Sequence, residues 1–174
     1  MPSAITLINS VTVGSGGAAS MEFTSIPSTY TDLIVLLTGR TTSTFGTDVS
    51  GYCHLEINSN ITNGSARAVF GTGSTAGSFA VSNPPYVGYV STSASTASTF
   101  GNMLIYFTNY AGSNNKSWSA DAVAENNGTV AVSSLIAGLW SSTSAITAVK
   151  VYPNSAYGNF AQYSTAYLYG ISNA

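Results

Sequence analysis

The sequence predicts an all-β protein: an antiparallel, jelly-roll-like β-sandwich of about ten short strands. Three observations carry this. Charged residues make up only 6% of the chain, against roughly a quarter in typical soluble domains. Ser, Thr, Gly and Asn replace them, alongside β-branched and aromatic residues that suit a pleated, half-buried surface. Turn signals recur every ~8–12 residues, and no amphipathic helix of useful length interrupts them. Disorder is excluded, because disordered chains are charged and poor in aromatics, whereas 11% of this chain is aromatic. With 174 residues, one domain is expected: residues 1–17 as a short N-terminal arm or first strand, and residues 18–174 as a single sandwich.

Ile5 to Ile8, extended by Val11 and Val13, form that arm or strand, and Gly14-Ser15-Gly16-Gly17 makes a flexible joint. Next comes the stretch around which the chain is organised, Met21 to Arg40. Met21, Phe23 and Ser25 alternate with Glu22, Thr24 and Ile26, and Pro27 then breaks the ladder because it has no N–H to donate. Leu33 to Leu37 are five unbroken apolar residues, the reading of a central strand covered on both faces. A buried helical segment competes, but the run is short and lies between Pro27 and Gly39.

Residues 41–51 read as a polar loop. In the next strand Cys53, Leu55 and Ile57 point inward while Tyr52, His54 and Glu56 point out. Asn63-Gly64 is a type I′ hairpin signal, with Ala66 to Phe70 as the return strand. Residues 71–77 read as loop, and Pro84-Pro85 precedes an edge strand, Tyr86 to Val90. After the Ser/Thr/Ala loop 91–99 comes Met103 to Phe107, a second continuous apolar run and a second central strand. Trp118 to Ala124 alternates, Asn126-Asn127-Gly128 turns, and Val130 to Trp140 returns. One turn of helix fits 140–148. Strands at Ala145–Tyr152 and Phe160–Ile171 complete the chain. The core is assigned to Phe23, Leu33, Val35, Leu37, Met103, Ile105, Trp118, Trp140, Val149 and Leu168.

Chemistry is sparse. Arg40, Arg67, Lys116 and Lys150 are scattered and net charge is −2, so nucleic-acid binding has no electrostatic footprint. A near-neutral exterior gives little protection against association, which suggests that a partner covers part of it. Cys53 is the lone cysteine, so no intrachain disulfide forms; it reads as a buried small hydrophobe, compatible with folding in a reducing cytoplasm. The N-terminus lacks a signal-peptide pattern, and no run approaches the ~20 apolar residues of a membrane helix. His54, Glu56 and Asp48 are metal-ligand types, but a solvated strand face is the better reading. No G-x-S-x-G elbow accompanies the single histidine. Asp121 and Glu125, four apart on one strand, stand ~13 Å apart, beyond either glycosidase spacing. The 71–77 loop lacks the Lys-Ser/Thr and following helix of a phosphate loop. No catalytic residue, metal ligand or cofactor is assigned.

Tyr157, Tyr163, Tyr167 and Tyr169 crowd the C-terminus. Tyrosine joins large contact area to a polar tip. Three readings stay open: a subunit interface, ordinary strand packing, or glycan contact.

Two segments carry a resemblance. F-T-S-I-P-S-T-Y-T-D-L at 23–33, ending in Gly39-Arg40, is joined by G-L-W-S-S-T-S-A-I-T at 138–147, Asn159-Phe160, and S-T-A-Y-L-Y-G-I at 164–171. In this order the chain resembles structural proteins of tailed bacteriophages with jelly-roll or β-sandwich domains. That resemblance implies a non-enzymatic virion protein. Because the sandwich starts near the N-terminus, a capsid decoration (cement) protein fits best: folded in the host cytoplasm, often a homotrimer, bound to the major capsid protein on the capsid exterior, with no nucleic acid, membrane or cofactor. A tail-fibre or head-fibre protein binding a receptor or host glycan is the alternative, with loops 41–50, 71–79 and 91–99 as its rim.

Overall fold

The computed structural model describes residues 4–45 and 49–172. Among them are twelve strands: β1 (Ile5–Thr12), β2 (Met21–Phe23), β3 (Asp32–Gly39), β4 (Gly51–Ile57), β5 (Gly64–Gly71), β6 (Ala76–Ser82), β7 (Tyr86–Val90), β8 (Gly101–Phe107), β9 (Lys116–Glu125), β10 (Ala131–Trp140), β11 (Val149–Pro153) and β12 (Thr165–Ile171). They form an antiparallel sandwich. The larger sheet has eight strands in the order β1-β12-β3-β8-β9-β10-β5-β6, and the smaller has four, β2-β11-β4-β7. The N-terminal segment is the edge strand β1, paired with β12 through a bulge between Leu7 and Asn9.

The core lies between the sheets. Leu33, Val35 and Leu37 of β3 and Met103, Ile105 and Phe107 of β8 face Phe23, Leu55, Ile57, Val149 and Val151 of the smaller sheet, and all are buried. All ten sequence-assigned core residues are buried as well. A buried side chain of this size stabilises by about 1.5–3 kcal/mol relative to exposure. β7 packs against β8, β9, β10 and β5. That contact is close enough that a Cβ on Gly88, at φ 144°, would lie 2.5 Å from the Ala122 Cβ.

The organising stretch divides between the two sheets. Met21 and Phe23 lie in β2, which pairs with β11. Ser25 does not continue their face: at φ 54° it turns the chain, and Ile26 becomes buried instead. The Tyr110 hydroxyl donates to the Pro27 carbonyl, which anchors the proline corner. β3 is central, flanked by β12 and β8, but it is not covered on both faces. Leu36 is 39% exposed, and so is Leu104 on β8. The smaller sheet covers only the inner face, and no described element covers the outer one.

Other expectations are corrected for identifiable reasons. The chain does not turn back at Asn63-Gly64, because β4 and β5 belong to different sheets and β5 pairs with β10 and β6. Residues 76–82, the first two of them read as loop and the rest assigned to no strand, are strand β6. The segment 141–148 holds no helix. It is fixed by Asn58, whose Oδ1 accepts from the Thr147 and Ala148 N–H groups at 2.8 and 3.0 Å and whose Nδ2 donates to the Ala145 carbonyl at 2.8 Å. A 3-10 turn occurs instead at Ser155–Tyr157. The last strand begins at Thr165, because Tyr163, at φ 71°, belongs to the preceding turn.

Candidate functional site

The outer face of the eight-stranded sheet is the feature that stands out. Strand register sets Tyr167, Leu36, Leu104, Asp121, Leu135, Val69 and Ser78 opposite one another on successive strands from β12 to β6. The next row holds Tyr169, Ile34, Tyr106, Ser119, Ala137, Arg67 and Ala80. Leu135 is 60% exposed, and Val69, Leu104, Leu36, Tyr167, Val123 and Leu139 are exposed too, as are Ile5 and Leu7 on β1. Uncovered apolar residues in this number make the face a candidate interaction surface.

Charge is almost absent from this face. Asp32 is occupied: Oδ2 accepts from the Tyr106 hydroxyl and Oδ1 from the Asn109 N–H, both at 2.7 Å. The remaining charges here are Asp121 and Glu125 on β9 and Arg67 on β5, and the Glu125 carboxylate accepts from the Asn127 N–H. The opposite face of the molecule differs. On the smaller sheet Lys150 lies between Glu22 and Glu56 in register and bridges Glu56 at 2.7 Å.

The four C-terminal tyrosines do not form one cluster. Tyr167 and Tyr169 share the outer face with Leu36 and Ile34. Tyr163, 69% exposed, sits in the turn before them. Tyr157 lies elsewhere, edge-on to the exposed Phe45 with ring centroids 5.4 Å apart. The interface reading therefore has a geometry at Tyr167 and Tyr169, beside an apolar patch that sequence alone had placed inside.

The described parts of the loops proposed as a rim lie at one end of the sandwich, but 91–99 is held rather than free. The Arg40 guanidinium donates to the carbonyls of Thr96, Thr99 and Ser95, each at 2.9 Å. Residues 41–45 are tied to the same loop, with the Ser93 N–H donating to the Ser43 carbonyl at 3.1 Å. Residues 76–79 belong to β6.

His54 departs from its expected exposure. It is on the outer side of β4, as alternation requires, yet only 7% exposed. Tyr52 and Tyr152 flank it, and its Nε2 meets the Asn154 amide at 3.1 Å. Burial lowers the imidazole pKa, opposed by the backbone carbonyls of Pro85 and Pro84. Its Nδ1 makes no hydrogen bond of normal geometry. Asp48, considered with it for a metal, lies outside the described residues. No group of three or more His, Cys, Asp or Glu side chains able to hold a metal occurs among the described residues. Asp121 and Glu125 both point outward from β9. Cys53 is fully buried, which pushes its thiol pKa up.

Lys116 was read in the sequence only as one of four scattered charges, with no sign that it is buried. It is buried on the inner face of β9 opposite Trp140, its ammonium donating to the Asn114 carbonyl. Burial lowers its pKa. No family model, curated protein or solved structure matches this chain.

Proposed function

We propose that this protein is a non-enzymatic bacteriophage virion protein that decorates the capsid exterior and docks through the tyrosine end of its larger sheet. One observation carries the reading: Tyr167, Tyr169, Leu36 and Ile34 form an uncovered apolar patch continuous with Ile5 and Leu7. Tyrosine and aliphatic side chains without lysine or glutamate compose the cores of protein interfaces. The sequence resemblance supplies the virion and the capsid as its setting. Each copy binds the assembled shell, bridges neighbouring capsid subunits and so opposes their separation. The contribution is additive over copies, about 2.7 kcal/mol per site at a free concentration 100 times Kd.

The test uses capsid shells assembled without the protein. Saturable binding and a raised disassembly temperature are expected, both lost in Tyr167→Ser/Tyr169→Ser. No binding to any shell, or full binding by that variant, overturns the reading. A second reading, glycan binding at the loop end, draws on the exposed Phe45 against Tyr157. Glycan-array binding abolished by Tyr157→Ala would favour it.

A further inference from the structure

Away from the tyrosine end, the same sheet face dips into a concavity of about 710 Å³ over β9, β10, β5 and β6. Asp121 and Arg67 stand on its walls, and Leu135 projects between their strands. Asp121 is exposed, and no hydrogen bond or ion pair holds it among the described residues. The Arg67 guanidinium reaches only its neighbour's carbonyl, that of Ala66, at 3.3 Å. One strand, β10, lies between these opposite charges, two inter-strand spacings or about 10 Å across the sheet. An apolar surface with one free positive and one free negative group placed either side of its middle strand is complementary to itself.

We infer that this concavity is the interface of an isologous dimer, two copies packing these faces together about a two-fold axis that runs along β10. Such an axis lays β10 over β10 and each β9 over the β5 of the other copy. Asp121 then faces Val69 of the second copy, with Arg67 two residues along the same strand, and the contact is made twice. Leu104 comes over the small Ser78 on β6 of the other copy, large against small. Leu135 meets its own copy at the axis. Aligned sheet packing at about 10 Å accommodates this arrangement. A surface patch that contacts itself is what a two-fold interface requires. β3, β12 and β1 fall outside the overlap, so the tyrosine end stays free on both copies. The pairing therefore stands whatever that end binds, and it is two-fold where the resemblance implies a trimer.

Sedimentation of the full chain from about 1 μM to about 1 mM spans the range in which small interfaces associate. A concentration-dependent dimer is expected, loosened by salt. Asp121→Arg and Arg67→Asp each place like charges together twice, and each should raise Kd at least about tenfold. Because the contact is isologous, an equimolar mixture of the two single variants should pair again, as heterodimers. The double variant, with both charges swapped in one chain, should also dimerise. Both sites are exposed, and circular dichroism checks that the variants fold. Asp121→Asn and Arg67→Gln should give smaller losses in the same direction. A monomer throughout, a trimer, indifference to both reversals, or failure of the mixture to pair overturns the proposal. Shell binding is read separately, through the Tyr167/Tyr169 variant.

Discussion

The indole of Trp118 covers Gly138, its directly opposed residue on β10. A Cβ built on Gly138 would lie 1.9 Å from the Trp118 Cε2 and 2.1 Å from Cζ2. Glycine is required here for close approach, since the ring occupies the space that any side chain needs. Gly138→Ala must push the ring into a packed core, an overpacking cost of about 1–3 kcal/mol or more. Urea unfolding should show a lower midpoint with an unchanged slope. Gly16→Ala, whose Cβ meets nothing within 4 Å, should stay within about 0.5 kcal/mol of the parent. Equal stability of the two variants would disprove the packing assignment.

Arg40 holds the 91–99 loop with a fork of three charge-assisted bonds. Lysine cannot reproduce that planar geometry. Arg40→Lys and Arg40→Met should both loosen the loop while leaving the sandwich folded. Local opening is read by amide exchange and limited proteolysis. Cleavage within 91–99 should be faster by about tenfold or more in the methionine variant. Wild-type-like protection in both would mean that other contacts hold the loop.

Asn58 does for 145–148 what Arg40 does for 91–99, with four hydrogen bonds on one amide side chain, the fourth from the Thr147 hydroxyl. It also adopts φ 51°, where asparagine is tolerated better than alanine. Asn58→Ala should cost about 1–3 kcal/mol in denaturant unfolding, and Asn58→Asp, which keeps the three accepted bonds, should cost less. The reverse order would contradict the bonding described.

The fold was legible where local pattern and burial agree. Phe23, Leu33, Val35 and the other core residues were readable from parity alone, because strand alternation fixes which side chains share a face. Sheet membership was not. Asn63-Gly64 has hairpin chemistry, but turn chemistry does not say which sheet the next strand joins. β6 was missed because Ala76, Gly77, Ser78 and Ala80 are weak strand formers, leaving only Phe79 and Val81 as signal. The outer face of the larger sheet was misread for a deeper reason. Leu36 and Leu104 look like core residues, and sequence cannot distinguish cover by the same chain from cover by another. The Arg40 fork joins residues more than 50 positions apart, beyond any local motif.

Alkali should expose the buried phenols. Burial pushes the Tyr52 pKa up to about 12, with Tyr89 and Tyr157 adding to it. Burial also raises that of Tyr86, partly offset by its 3.3 Å hydrogen bond to the Ser134 hydroxyl. A phenol whose folded pKa exceeds its unfolded value of about 10 binds its proton more tightly in the fold. Its stabilisation is complete below about pH 10 and is lost as pH rises through about 12. Urea midpoints should therefore fall across that window. Tyr52→Phe and Tyr86→Phe should each flatten the fall, and Cys53→Ala should flatten its earlier part, since a thiol ionises from about pH 8.5 when unfolded. A fall of the same steepness in all three variants would assign the alkaline loss to other groups.

Val35 and Leu36 are neighbours on β3 with opposite fates: Val35 is fully buried and Leu36 is 39% exposed. Substituting aspartate at each separates the two faces of the larger sheet. In Val35→Asp an unpaired charge enters the core between Ile105 and Leu168, its partners on β8 and β12, with no cation positioned to meet it. Leaving one uncompensated charge buried costs about 3–5 kcal/mol, a large fraction of a domain's net stability. That variant should be unfolded or insoluble at neutral pH. Acid, which protonates the carboxyl, should restore part of the fold. Leu36→Asp puts the same charge into water on the outer face. It should fold, with a midpoint within about 1 kcal/mol of the parent, and lose shell binding because it sits beside Tyr167. Circular dichroism and solubility read the first outcome, and the shell-binding assay reads the second. A folded, soluble Val35→Asp would remove β3 from the core, and an unfolded Leu36→Asp would mean that the outer face is covered within a single chain.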